Sequence, residues 1–419
     1  MFGAIVTQSE VYFRLVYLAI AILLISFLIT LFSTQGIIIN RKARVRRKQV
    51  GEIFAEQFEI VNTRRYPRIW LAVNDECPMY GKTGSKVLSW IGGKQTRTYI
   101  SHSRLHQRGS FSLGPTVITS GDPLGLFLSR AEYLTNDTLL VLPHVVNIHS
   151  FPTPAGFLTG GRVLGRRAFE VTPQAGGVRD YAPGDPQNRI HWLSTVKKNR
   201  LMVKEFEQDP RADVWIMLDA EKYVHAREEG TREIFKQDPF WRLRQDFDRI
   251  VIPPDSFEYG VSIAGSVSNY YISRGKAVGL VSAAQSTIYL SAERGERQQY
   301  RILENLAFLR CDGKLPLLAL VEAQTPNFPQ GSTVVIITTT NSERLNLTLN
   351  FILQRRLKPV VILIDISTFN RDNKSDFSVH TIEGLGVPAV LVENYAELDD
   401  VFENGFGIRS HNISKSRDY

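Results

Sequence analysis

From Leu15 to Phe32 the chain reads LVYLAIAILLISFLITLF, a run without a charge in which Ser26 and Thr30 are the polar residues. At ~1.5 Å per residue it covers most of a ~30 Å hydrocarbon core. Val11-Tyr12-Phe13 before it and Gly36-Ile37-Ile38-Ile39 after it complete the crossing, with Arg14 snorkelling to the interface. A segment apolar on every face is not the amphipathic helix of a soluble core. A signal peptide needs a cationic start and a small-residue cleavage site, and this run has neither. Residues 11–39 are therefore expected to form one transmembrane helix.

Six cations follow the run: Arg41, Lys42, Arg44, Arg46, Arg47 and Lys48. Lys and Arg beside a span are retained on the cytoplasmic side, which places the N-terminus outside and everything after Asn40 inside. The same block suits anionic lipid head groups, at ~1 kcal/mol per cation near the surface. It accounts for much of the net charge of +8 and the pI near 9.4, so the basic balance needs no nucleic-acid partner and none is expected. With 43% hydrophobic and 22% charged residues, the rest of the chain is neither mainly disordered nor polytopic. Its 419 residues allow two to three domains. Cys77 and Cys311 are far apart and form neither a disulfide framework nor a CxxC metal-ligand spacing, which suits a reducing compartment.

Past the basic block the patterning changes twice. Residues 50–145 alternate short apolar runs with turn signals, as in Phe58-Glu59-Ile60-Val61, Ile69-Trp70-Leu71-Ala72-Val73 and Leu139-Leu140-Val141-Leu142, and predict an antiparallel β-sandwich of immunoglobulin-like kind. Residues 212–408 instead carry near-continuous strands such as Val214–Leu218, Val334–Ile337 and Val360–Ile364. Candidate helices lie between them over 255–274, 298–309 and 342–356. That pattern predicts an α/β domain with a parallel, doubly wound sheet. Between the two, 146–211 reads as a glycine-bearing linker plus an unusual segment. Residues 221–253 read as a solvated charged insertion and 409–419 as a disordered tail. The fold class is thus multidomain: a transmembrane helix, a sandwich and an α/β unit.

The unusual segment contains Arg179-Asp180-Tyr181 and Pro183-Gly184-Asp185-Pro186, then Arg189 and Trp192, and ends in Leu201 and Lys204-Glu205-Phe206. The Pro-Gly-Asp-Pro turn is expected to bring Arg179 and Asp180 close to Arg189 and Trp192. At these residues the chain resembles the bacterial domain-of-unknown-function family 58. So do Arg108-Gly109 and the run Asp122-Pro123-Leu124-Gly125-Leu126-Phe127. The resemblance implies a protein tethered to the inner (cytoplasmic) membrane, with a sandwich followed by a domain similar to von Willebrand factor type A. It also implies a non-enzymatic adaptor, or an assembly or maturation factor, working by protein–protein contacts with a MoxR-type AAA+ ATPase. Arg179, Asp180, Tyr181, Pro183, Gly184, Asp185, Arg189, Trp192, Lys204 and Glu205 become candidate interaction residues, with an internal ion-pair network as the alternative role for the loop.

Two departures from the family pattern matter. Members commonly carry two adjacent spans, whereas Val11 to Ile39 is too short for a helical hairpin at ~20 residues per crossing. A metal-binding type A domain presents Asp-x-Ser-x-Ser after its first strand, with a Thr and an Asp from later loops. Here the first strand ends Asp219-Ala220-Glu221-Lys222-Tyr223, without either serine. Asp219, Glu221 and Thr339 remain as a degenerate candidate set for weak Mg²⁺ binding, the basis of the alternative reading as a Mg-dependent binding protein or enzyme. No GxxxxGK[ST], GxGxxG or GxSxG motif occurs in a fitting context, so no nucleotide, cofactor or hydrolase chemistry is expected.

Overall fold

In a computed structural model, residues 10–43, 45–79, 81, 84–152, 175–182, 190–206, 213–228, 252–340, 342–370 and 379–404 are described. The chain begins with helix α1 (Glu10–Ser33), whose apolar side chains stay exposed and which is long and apolar enough to cross a membrane. It is the one such helix among the described residues. Gly36 ends the segment at φ +72°, where a Cβ would lie 2.8 Å from Arg64 Cγ. The span expected over 11–39 is therefore shorter. Ile37 and Ile39 leave it for strand β1 (Ile37–Ala43), and both pack against the sandwich core.

The sandwich begins at β1 instead of near residue 50. Its other strands are β2 (Arg47–Gln49), β3 (Ile53–Asn62), β4 (Arg68–Asp75), β5 (Lys86–Ile91), β6 (Thr96–Arg104), β7 (Gly109–Ser112), β8 (Thr116–Gly121), β9 (Leu128–Tyr133) and β10 (Thr138–Leu142). Sheets β1-β3-β6 and β5-β4-β8-β9 face each other across Phe58, Ile60, Leu71, Val73, Ile91 and Ile118, all fully buried. A third sheet, β2-β10-β7, closes one end over Phe54, Leu105 and Leu139. Pairing is antiparallel except between β2 and β10.

Strand geometry also corrects the reading of the basic block. Successive side chains on a strand point to opposite faces, so Arg41 follows Ile37 and Ile39 inward. Its side chain is only 3% exposed. Nε and Nη2 donate to the Glu56 carboxylate at 2.8 and 2.7 Å, Nη1 and Nη2 to Asp75 at 3.0 and 3.1 Å, and the guanidinium lies over the Phe58 ring. Burial still pushes Glu56 above the usual carboxylate range, against the pull of Arg41. Of the remaining cations, Lys42, Arg46 and Lys48 pair with Glu59, Asp137 and Glu52, Arg47 is exposed, and Arg44 lies outside the described residues.

Beyond the sandwich, β11 (Ala175–Asp180) and β12 (Met202–Phe206) form an antiparallel ribbon on either side of helix α2 (Trp192–Lys198). The α/β unit follows as β13 (Val214–Leu218), α3 (Ser256–Ser273), β14 (Val278–Ala283), β15 (Thr287–Glu293), α4 (Glu296–Phe308), α5 (Leu317–Gln324), β16 (Thr333–Thr338), α6 (Ser342–Gln354), β17 (Lys358–Ile364), α7 (Val379–Gly384), β18 (Ala389–Val392) and α8 (Leu398–Asn404). The sheet order is β15-β14-β13-β16-β17-β18, parallel throughout except for edge strand β15. Ile216 and Leu218 pack against α3 and α4, while Trp215 and Met217 point to the opposite face with α5 and α6, so apolar cores cover both sides. The three helices read from apolar spacing correspond to α3, α4 and α6. The first residues of the expected linker are part of this core, since Ile148 and Phe151 are buried in it and Val146 N donates to Ser266 Oγ at 3.0 Å. Residues 229–251 of the charged insertion and the tail over 409–419 lie outside the described residues.

The sandwich and the α/β unit meet on α4, where Leu142 packs against Leu303 and Ala307. Arg108, from the arginine-glycine turn, is buried there. Its Nε donates to the Leu306 carbonyl at 3.0 Å and its Nη2 to that of Leu309 at 2.8 Å, satisfying the end of α4, and Nη1 pairs with Glu258 of α3.

Two substitutions and one surface control test these buried cations by denaturant unfolding of the full chain in detergent. Arg41→Met strands two carboxylates and is expected to cost about 3–5 kcal/mol, whereas Lys42→Ala, on the exposed face of the same strand, costs under about 1 kcal/mol; equal losses would refute the inward placement. Arg108→Ala is expected to cost about 3–5 kcal/mol by leaving Glu258 without its partner. A change below about 1 kcal/mol would mean that the junction does not depend on it.

Candidate functional site

In an α/β sheet, ligands collect at the carboxyl ends of the strands where the order reverses. Here the chain moves outward from β13 through β14 to β15, then returns to the other side of β13 at β16, so the reversal falls between the ends of β13 and β16. Asp219 sits there, 1% exposed. Its Oδ2 accepts from Thr338 Oγ1 at 2.7 Å and Thr340 Oγ1 at 3.0 Å, and its Oδ1 from Glu221 N at 3.1 Å.

The expected set of Asp219, Glu221 and Thr339 is not what converges. Thr338 and Thr340 share one side of the extended chain and reach Asp219, while the Thr339 hydroxyl turns away and donates to the Val224 carbonyl at 2.7 Å. Glu221 is half-buried, and burial, then the Asp219 charge, push its carboxyl above its ordinary range. Among the described residues, no group of three or more His, Cys, Asp or Glu side chains is gathered for a metal ion. The Asp219 carboxylate already has three donors, and the hydroxyls beside it donate to it.

His225 lies just beyond. Its Nε2 is 3.0 Å from the Asp219 carbonyl oxygen, which can only accept, so Nε2 carries the proton; its Nδ1 is 3.0 Å from Ser256 Oγ and accepts from it. Both ring nitrogens are thereby satisfied in the neutral form, and burial pulls the pKa below its ordinary 6.5. Asp255 caps α3 by accepting from Phe257 N at 2.9 Å and pairs with Arg227. Cys311, near Glu221, is pushed up to about 12 by burial and neighbouring carboxylates, so it stays a thiol and not a nucleophilic thiolate. Gly313 is required beneath this loop, because a Cβ there would lie 2.2 Å from the Ala283 carbonyl oxygen.

The unusual segment forms a separate feature. His191 caps α2 by accepting from Ser194 N at 3.2 Å, and Asn199 ends the helix in the left-handed region at φ +52°. The helix is tied to β12 by His191 N to the Met202 carbonyl at 2.8 Å and Met202 N to Thr195 Oγ1 at 3.0 Å. None of its side chains is buried, and Trp192 (65% exposed), Leu193 (68%) and Val196 (79%) stand in solvent.

Of the candidate interaction residues, Arg179, Lys204 and Glu205 fall on the paired strands β11 and β12, opposite Val203, Val178 and Gly177. Tyr181 is half-buried and donates its backbone N–H to Leu201. Asp180 pairs with Arg200 at 3.1 Å, both exposed, a partner not foreseen from the turn. Pro183, Gly184, Asp185 and Arg189 lie outside the described residues, and with them the expected Arg179–Arg189 juxtaposition. The sequence offers Thr338-Thr339-Thr340 as a run of hydroxyls, from which the expected set takes Thr339, and it does not mark His225. Strand alternation could have favoured Thr338 and Thr340 over Thr339.

Several known proteins match this chain. The family model described as "Protein of unknown function DUF58" matches residues 177–239, the region of the ribbon and α2. "Uncharacterized protein YeaD" of Bacillus subtilis (strain 168) is 23% identical over 267 residues, 62% of this chain and 58% of that protein, so the match spans less than two thirds of the relative. Solved structures that match include the CARDB domain of the PF1109 protein from Pyrococcus furiosus (14% identity, 25% of this chain, 91% of that chain) and the cupredoxin domain of amoB from Nitrosocaldus yellowstonii (7%, 34% and 99%). Both have a TM-score of 0.18, too low to bear on fold or function.

The state of His225 generates a pH test. Its folded pKa is lowered, so below the ordinary 6.5 the unfolded chain takes up a proton that the folded chain refuses. Stability is full above 6.5 and falls as pH drops from there toward the lowered value. The melting temperature of the wild type is expected to fall over this window more steeply than that of His225→Gln, and parallel curves would contradict the neutral buried ring.

Proposed function

We propose that this chain, a member of the DUF58 family, is a membrane-anchored, non-enzymatic adaptor or assembly factor that engages a MoxR-type AAA+ ATPase through protein–protein contacts. The observation that carries the reading is α2, whose Trp192, Leu193 and Val196 present an exposed apolar face within the segment that matches the family model. Clustered exposed aromatic and aliphatic side chains are the usual anchors of protein interfaces.

Anchoring is supported by α1 and by the cations that follow it. Lys42, Arg46, Arg47 and Lys48 still lie just past the helix, which favours retention of the soluble units in the cytoplasm of a bacterial inner membrane, with the N-terminus outside. A von Willebrand factor type A-like, doubly wound α/β unit is supported by the sheet order, with its single antiparallel edge strand and Asp219 at the reversal point. Asp219 also favours the second reading, weak Mg²⁺ binding at a degenerate site, but its three bound donors leave the carboxylate little capacity for an ion.

Pull-down of a co-expressed MoxR-type ATPase tests the adaptor reading. Trp192→Ala combined with Leu193→Ala is expected to weaken association at least about tenfold, a loss of roughly 1.4 kcal/mol or more, with an unchanged melting temperature because both side chains are exposed. Undiminished association by the double variant would remove α2 from the interface. A Mg²⁺ titration that raised the melting temperature by several degrees, and did so no longer in Asp219→Asn, would support the metal reading in its place.

A further inference from the structure

The C-terminal part of α1 does not stand clear of the sandwich. Ser26, Thr30 and Ser33 are its buried residues, Phe27 meets Phe127 edge-on with ring centroids 5.7 Å apart, and Thr34 Oγ1 lies 2.8 Å from Ser129 Oγ. Phe127 belongs to the Asp122–Phe127 loop, which Asp122 shapes by accepting from Leu124 N and Phe127 N at 3.0 and 2.7 Å. The loop leaves Leu124 (64%) and Leu126 (50%) exposed.

Between helix and sandwich lies a cavity of about 730 Å³, within the ~300–1,000 Å³ range of ligand sites. Leu28, Ile29 and Phe32 of α1 form one wall, and Ile69 and Trp90 of the sandwich form another. Trp90 is 59% exposed and held at φ +49°, a region that bulky residues rarely enter. Arg64 and Arg68 also line the cavity. Arg68 is only 4% exposed. Its Nη1 and Nη2 donate to the Phe32 and Gln35 carbonyls, and its buried Nε has no hydrogen-bond partner among the described residues.

Depth says what fills the space. Counted from Leu15 at ~1.5 Å per residue, Leu28 lies ~20 Å and Phe32 ~26 Å into a ~30 Å hydrocarbon core. The α1 wall therefore reaches toward the inner end of the hydrocarbon core, and Arg64 and Arg68, beside Gly36 and Phe32, lie close to the head groups, where Trp also collects. We propose that this cavity is a binding site for one bilayer phospholipid, with an acyl chain between the α1 and sandwich walls and phosphate oxygens on the exposed Arg64. The proposal rests on the reading of α1 as a membrane anchor.

The test uses the full chain reconstituted into phosphatidylcholine–phosphatidylglycerol vesicles. Carbonate resistance reports the anchor, and native mass spectrometry after detergent extraction reports phospholipid retained per chain. One retained phospholipid is expected for the wild type. The cavity-filling variants Ile29→Trp and Ile69→Trp are each expected to retain less than a tenth as much, and Arg64→Ala several-fold less, all with carbonate resistance intact. A carbonate-resistant wild type without retained phospholipid, or cavity-filled variants that retain as much as the wild type, overturns the lipid site and leaves the anchor standing. Extraction of the wild type by carbonate overturns the anchor and the lipid site together.

Discussion

The architecture turns on one buried cation. Arg108 enters the space between the sandwich and the α/β unit with its charge met by Glu258 and with Nε and Nη2 donating to the Leu306 and Leu309 carbonyls at the end of α4. A guanidinium taken out of water is tolerable only when it is paired and its donors are satisfied, so its placement requires α3, α4 and the arginine-glycine turn to be correctly positioned at once. Leu142, Leu303 and Ala307 then exclude water around it. With that junction made, Ile148 and Phe151 have an apolar surface to join, and the segment leaving the sandwich becomes part of the second core.

Much of this organisation was legible in the chain because it rests on local periodicity. The uncharged run yields α1, the candidate helix over 255–274 corresponds to α3, and the continuous Val/Ile/Leu runs yield the parallel strands. What was not legible depends on pairing. Arg41 was counted with its neighbours as a lipid-facing charge, because a tally of cations ignores the alternation of a strand that continues directly from Gly36. Glu56 and Asp75, which neutralise it, sit on other strands. The same alternation decides between Thr338, Thr339 and Thr340, whose common acceptor or its absence depends on strand β13 and not on the run itself. Arg108 was noticed as part of a turn, but its partners lie far along the chain, where no local pattern connects them.

At the reversal point between β13 and β16, the polar groups restrain one another. Asp219 accepts from two threonine hydroxyls and a backbone N–H, the His225 ring bridges the Asp219 carbonyl and Ser256, and the Cys311 thiol stays protonated. Each is satisfied by its neighbours, which makes this edge a closed network holding the loop after β13 in place. Exposed apolar side chains are found on α2 and around the junction of α1 with the sandwich, and Tyr223 of the loop after β13 is exposed too.

The grip of the sandwich on α1 also has a mechanical meaning. A cargo joined to its anchor by slack chain absorbs a pull by straightening the slack. Here Ser26, Thr30 and Ser33 seat the helix directly against β8 and β9, and Arg68 holds its last carbonyls. A load applied to the α/β unit would pass through the Arg108 junction and the sandwich directly into the helix, with no intervening slack chain to straighten first.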